Sequence, residues 1–443
     1  CDAALTLAQS PEDILLAMTL ATTTGGVIRL VRTNHRLGGG KAVRFAMDLV
    51  AHPADPRAGL GWMVRRYPQF FDPGIPVAGK LSGCTAYSGS EGHFDAERMR
   101  RTAFAYNWKC SEDFPYMGLF LPPVADAETR WTRAPDERTP GKPNTTSCRL
   151  MNDYARWMKE QGFGVLSYFN VTEYGRNMRY PAPPREARTD AELWKNPHDY
   201  LFHGGMASAV LMNGKQPMRS NCYGALIVDP GDPAYRKHLL EQARRNTERL
   251  PDVDGICIDR TDWLNCYNYD ADDGISWVKG GPFGGAQGGP ARSLLVSWKE
   301  LMREMVPALH NAGKVVFINN CTPRIEVVGL ADGIYSEWGS DAWGMQTYIN
   351  YSALTGVRKP VAIWTVNDGE LTDEYMQRCL YLGIFPTAPY PNNNHCLRPS
   401  PRADAQFLAY GPLLTAMRGK KWVLAPHCVE TATPGVKVNL FEV

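Results

Sequence analysis

The chain has 443 residues, 44% of them hydrophobic, and a formal net charge of +2. That length allows a large core and more than one small domain. A charge so close to zero, with no long basic run, argues against a nucleic-acid partner, and no apolar stretch is long enough to span a bilayer, so no membrane partner is expected.

Residues 1–52 read as β. The runs 14–20, 26–32 and 42–50 are apolar or alternating, and Gly25-Gly26 and Gly38-Gly39-Gly40 punctuate them as turns. Three strands make no stable sandwich alone, so the segment is expected to be part of a β-sandwich. Residues 53–99 read as a connector, in which Leu60, Met63, Val64 and Tyr67 have helical spacing.

From about residue 100 the pattern becomes strand, then helix, repeatedly. A strand at 102–108 ends in Trp108-Lys109, and a Pro-rich loop follows. Leu150, Tyr154, Trp157 and Met158 share a helical face stopped by Gly162. Strands at 163–169 and 223–228 come next, the latter ending at Asp229. Asp232 can cap the following helix, Pro233 suits its first position, and Tyr235, Leu239 and Ala243 mark its buried face. The fourth strand is the apolar run Ile256-Cys257-Ile258, too short for a helix. It closes on Asp259, Arg260, Asp262 and Trp263. A helix marked by Trp298, Leu301, Met302, Met305 and Leu309 ends at Gly313. Strands at 314–318, 333–336, 361–365 and 383–387 end near Asn320, Glu337-Trp338, Asp368 and Tyr390, with a helix through Tyr375, Met376, Cys379 and Leu380 before the last.

Eight strands with helical returns predict an α/β fold, a (β/α)₈ TIM barrel over 100–419. A doubly wound sheet is the alternative, but no Gly-rich phosphate turn follows the first strand. After residue 420 the runs 421–424 and 436–441 read as the start of a C-terminal β-domain. The loops 110–149 and 171–222 are longer than ordinary connections and follow strand ends. They are expected on the catalytic face, walling a pocket.

In such a barrel the catalytic groups sit at the C-terminal strand ends. Hydrolysis of a glycosidic bond needs two carboxyl groups flanking the anomeric carbon. Asp259 after strand four and Glu337 after strand six fit that need, and Asp341 competes with Glu337 in Trp338-Gly339-Ser340-Asp341. Trp108, Trp263, Trp338 and Trp364 are candidate sugar platforms. Lys109, Asp229, Arg260, Asp262, Asn320 and Asp368 lie at strand ends as candidate substrate contacts. Each has a plainer reading as well. Asp259 or Asp262 could pair with Arg260, Asp229 could brace its loop, and some of the tryptophans could be core.

Two further motifs carry less. Asn268, Asp270 and Asp272 alternate like a calcium loop, but Asp273 stands where a glycine is needed and Lys279 where a glutamate is. The stretch 280–289 is glycine-rich without phosphate-loop spacing and reads as a flexible loop over the site. The 11 cysteines form no CxxC pair or metal spacing. No cofactor and no metal ion is expected.

The stretch from about 100 to 425 resembles the barrels of retaining α-glycosidases, such as the α-galactosidase and α-N-acetylgalactosaminidase group. The resemblance implies a nucleophilic aspartate after strand four, matching Asp259, and an acid/base carboxylate after strand six. Trp338-Gly339-Ser340-Asp341 is similar to a Trp-x-Ser-Asp acid/base motif, which would make Asp341 the acid. Strand position favours Glu337. The Lys-x-Asp pattern of α-galactosidases is absent, since Cys257 precedes Ile258-Asp259, which leaves the sugar open. The resemblance also implies β-sandwich segments flanking the barrel.

The leading expectation is therefore a retaining glycoside hydrolase acting on α-linked sugars of an oligosaccharide or polysaccharide. An inverting or β-specific enzyme and a non-catalytic glycan-binding barrel are the competing readings. The oligomeric state is not legible. A chain opening at Cys1 without a signal-like stretch suggests a processed N-terminus. That would place it in the periplasm or outside the cell if a signal segment has been removed, and in the cytoplasm otherwise.

Overall fold

The computed structural model describes the chain except residues 1, 41, 88–94, 109–117, 119, 124–125, 133–144, 182–188, 190–199, 222–223, 281–286, 320–321, 323, 337–345, 366–368, 370 and 388–400, and of 346–349 it describes the backbone alone. At its centre is one eight-stranded parallel sheet. Its strands, in spatial and chain order, are Cys84–Tyr87, Phe104–Trp108, Gly164–Asn170, Gly255–Asp259, Val315–Asn319, Gly333–Ser336, Val361–Ile363 and Phe385–Pro386. A parallel bridge between Thr85 and Thr387 brings the last strand back to the first, so the sheet is a barrel. The strands at 104–108, 164–170, 255–259 and 315–319 are buried along their whole length. That is why they read as continuous apolar runs rather than alternating ones.

Two strand assignments from the sequence need correcting. The first barrel strand is Cys84–Tyr87, inside the segment read as a connector. It is only four residues long and carries Thr85, whose hydroxyl is satisfied by the Tyr106 carbonyl at 2.7 Å, so it lacked an apolar run to flag it. The run at 223–228 is not a barrel strand. Leu226–Ile227 pairs antiparallel with Glu173–Tyr174 in a two-stranded sheet within the loop after strand three. Its residues are fully buried, and burial alone made it look like a central strand. The two errors cancel in the count, so Gly255–Asp259 is still the fourth strand.

The helices follow their sequence signals. Pro233–Arg249 begins at Asp232, whose carboxylate accepts from the Ala234 and Tyr235 amides at 3.0 Å. Cys148–Glu160 is capped by Ser147, and Leu294–Asn311 presents Trp298, Leu301, Met302, Met305 and Leu309 to the core. Among the described residues no helix is long and apolar enough to cross a membrane.

The N-terminal residues form two antiparallel pairs, Ala4–Gln9 with Met47–His52 and Ala17–Thr22 with Ile28–Thr33. The first of these four strands, Ala4–Gln9, was not anticipated. Residues 34–36 extend the sheet of an insertion after strand four, through Trp277 N–H to the Asn34 carbonyl and Arg36 N–H to the Ile275 carbonyl, both 2.7 Å. Near the C-terminus Lys421–Trp422 pairs with Phe441–Glu442.

Candidate active site

Parallel register sets where the strand ends fall. Strands three and four pair with Asp259 opposite Asn170, and strands four and five with Ile258 opposite Ile318. The ends of strands three, four and five therefore open on one rim of the barrel. Asp259 is the last residue of strand four and is 6% exposed. One carboxylate oxygen accepts from the Tyr168 hydroxyl at 2.8 Å, and the other from the Asn319 amide at 2.6 Å. A carboxylate this buried needs such donors to offset its desolvation. They come from the strands on either side, so the barrel register itself aims the group.

The chain turns sharply after Asp259. Arg260 sits in the left-handed region at φ 62°, a conformation that costs a non-glycine residue free energy and clusters at functional sites. The Thr172 hydroxyl donates to its carbonyl at 2.8 Å and holds the turn. Either Asp259 or Asp262 was expected to pair with Arg260. Its guanidinium lies 3.1 Å from Asp262 and 3.2 Å from Glu173, and donates to Asn221 at 3.1 Å. A short 3-10 helix, Thr261–Asn265, follows and carries Asp262 and Trp263.

Glu173 is the residue that sequence reasoning missed. It lies three residues past strand three, in a stretch read only as the start of a long loop. It is wholly buried. The Trp263 indole donates to its Oε1 at 2.7 Å, and the Asn170 amide donates to Oε2 at 3.2 Å. Burial pushes its carboxyl above the usual range, against the pull of Arg260, Ser220 and Trp263 and with a further push from Asp259. Burial likewise pushes Asp262 up, opposed by Arg260 and assisted by Asp259. Glu173 and Asp262 thus share the Arg260 guanidinium, and each also feels the charge of Asp259. An acid two or three residues past a buried barrel strand, after an Asn suited to an Asx turn, was the available signal.

Other candidates fall elsewhere. Trp108 is fully buried inside the barrel, stacked on Tyr168 with centroids 6.1 Å apart and edge-on to Tyr335 at 4.6 Å. It is packed as core, not offered as a platform. Asp229 is also fully buried. It accepts from Ser297 at 2.7 Å, from Asn268 at 2.9 Å and from the Gly231 amide at 2.8 Å, and Arg292 stands 3.4 Å away. It braces the loop after strand three against the insertion after strand four, the plainer of its two readings. Trp364 is 7% exposed, just past strand seven. Trp263 is partly exposed, with the Arg260 guanidinium 5.9 Å from its ring centre. Glu337, Asp341, Lys109, Asn320, Trp338 and Asp368 lie outside the described residues.

The long loops divide. In 171–222, Thr172, Glu173, Ser220 and Asn221 reach the Asp259 end. In 110–149, the described Phe120 and Leu121 amides bond to Gln242 on the outer helix Pro233–Arg249, at 3.2 and 2.9 Å. Phe120 also stacks on Phe169 of strand three, 4.5 Å between centroids. The calcium-like stretch is built for turns and tethers. Asp273 caps the Ile275 and Ser276 amides, and Asp272 pairs with Arg36 at 2.7 Å. Among the described residues no three His, Cys, Asp or Glu side chains are grouped to hold a metal ion.

No family model and no curated protein matches the sequence. Solved structures do. The cycloalternan-degrading enzyme from Trueperella pyogenes in complex with isomaltose is similar at a TM-score of 0.52 and 12% identity, over 94% of this chain and 58% of that one. The α-N-acetylgalactosaminidase NagBb from Bifidobacterium bifidum, in complex with GalNAc, is similar at 0.51 and 11%, over 95% and 66%. The chain therefore spans less than two thirds of the length of either. At this identity the likeness establishes a shared barrel fold.

Proposed function

We propose that the chain is a glycoside hydrolase that cleaves α-linked sugars of an oligosaccharide or polysaccharide by a two-carboxylate retaining mechanism. Asp259 is the nucleophile in this reading. The observation that carries it is the Asp259 carboxylate at the rim of strand four, gripped from both neighbouring strands by Tyr168 and Asn319. Such a grip fixes the direction of attack, which is what covalent catalysis at an anomeric carbon requires. The shared fold with an enzyme that degrades cycloalternan and with an α-N-acetylgalactosaminidase supports the substrate class.

The acid/base is assigned to the segment after strand six, with Glu337 favoured by strand position and Asp341 by the Trp-x-Ser-Asp resemblance. Arg260, Asp262 and Trp263 are assigned to substrate hydroxyls and ring faces beside Asp259. Lys109, Asn320, Trp338 and Asp368 keep that assignment from their strand-end positions alone.

The test is turnover of a panel of 4-nitrophenyl α-glycosides, with the anomer of the first-formed product followed by NMR. Retention is expected, and Asp259→Asn should lower kcat by roughly a thousandfold or more. An inverted first product, or near-normal turnover by Asp259→Asn, would overturn the reading.

A further inference from the structure

We infer that Glu173 is the positioning residue of this site, orienting the nucleophile through Asn170 and Tyr168. The inference rests on the proposed role of Asp259 and extends it one step into the protein.

The chain of contacts has a direction. Asn170 cannot turn over, because its Oδ1 accepts from the Thr172 and Glu173 backbone amides, both at 3.0 Å. Its Nδ2 therefore faces outward, toward Glu173 Oε2 at 3.2 Å and the Tyr168 oxygen at 3.3 Å. A tyrosine hydroxyl that accepts from Asn170 has its own proton free to point elsewhere. It points at Asp259, 2.8 Å away. The Thr172 and Glu173 backbone amides set the Asn170 orientation, the buried Glu173 carboxylate accepts from its Nδ2 and holds that nitrogen in place, and Asn170 selects the rotation of the Tyr168 hydroxyl. The other oxygen of Glu173 takes the Trp263 indole and lies beside Arg260. One carboxylate ties strand three to both the nucleophile and the turn that follows it. Its first effect is on attack by Asp259, since Tyr168 touches the nucleophile directly.

Glu173→Gln breaks this link and also removes the charge beside Arg260. The amide oxygen can still accept from Trp263, but the amide nitrogen then faces Asn170 Nδ2, donor against donor. Asn170→Asp breaks the same link from the other side and keeps the oxygen that caps the turn, so it serves if Glu173→Gln fails to fold. Both are assayed as the full chain on whichever 4-nitrophenyl α-glycoside the wild type hydrolyses, alone and combined with Tyr168→Phe. The expected result is a fall in kcat of about tenfold or more with KM changed much less. In the Tyr168→Phe background the same substitution should cost little, because the path it acts through is already cut. Losses that simply add to that of Tyr168→Phe, that fall on KM alone, or that are absent would overturn the inference. If Asp259→Asn stays active, or the wild type hydrolyses no glycoside, the hydrolase reading fails and this inference falls with it. If Asp259→Asn is dead and the Glu173 and Tyr168 losses are additive, the positioning role alone fails.

Discussion

At the scale of single residues, the site is defined by who touches Asp259. Its donors are a tyrosine from strand three and an asparagine from strand five, while Arg260, its neighbour in sequence, turns to Glu173 and Asp262. Adjacent residues on a strand point to opposite faces, and here a left-handed turn intervenes as well. Proximity in sequence was therefore a poor guide to contact. Tyr168→Phe removes one donor and leaves the ring packing against Trp108 and Phe120 intact. It should lower kcat by about ten- to a hundredfold and cost roughly 1–3 kcal/mol of stability, because the buried Asp259 oxygen loses its donor, as paired kinetics and thermal melts would show. Asp259 was legible because a buried run ended on a charge. Tyr168, Asn170 and Glu173 were not, because each looks like an ordinary strand or loop residue until the parallel register of strands three and four sets it beside Asp259.

At the scale of elements, capping chemistry was the most readable feature and strand identity the least. Asp232-Pro233 announced its helix correctly, whereas Leu226–Ile227 and Cys84–Tyr87 exchanged places as barrel strands because short buried runs look alike. The helix Pro233–Arg249 also carries His238, packed among the rings of Tyr174, Tyr200 and Tyr235 and bonded to the Gly118 carbonyl at 2.8 Å. Burial holds this imidazole down to about 4, aided by Arg245 and opposed by the Gly118 carbonyl. Between its unfolded value near 6.5 and about 4, the unfolded chain binds a proton that the folded one refuses. Stability from this group is full above pH 6.5 and falls as the pH drops toward 4. His238→Gln should flatten that part of the melting-temperature profile, removing about 1–2 kcal/mol of acid sensitivity once partial exposure is allowed for. A slope between pH 6.5 and 4 that the substitution leaves untouched would assign the acid lability to other groups.

At the scale of the molecule, the barrel holds the site by bringing backbones close. Gly255 opens strand four where a Cβ would stand 2.0 Å from the Val315 carbonyl oxygen of strand five. Neither backbone can yield without breaking the pairing that places Asp259 beside Asn319. Gly255→Ala should cost several kcal/mol, on the order of the larger overpacking penalties, and should be read as loss of folded protein rather than loss of turnover in folded protein. The barrel class was legible from eight alternations of strand and helix, a count that survives one missed and one spurious strand. The closing contact between Thr85 and Thr387 was not, since it joins a four-residue strand to one of two residues. All of this geometry serves the claim that Asp259 forms a covalent bond to sugar, and the most direct measurement is trapping that bond. The wild-type protein would be incubated with activated fluorosugars, digested, and its peptides weighed by mass spectrometry. The expected result is a single glycosyl adduct on the peptide carrying Asp259, absent in Asp259→Asn. An adduct on a different carboxylate, or hydrolysis that proceeds with inversion and no adduct at all, would contradict it.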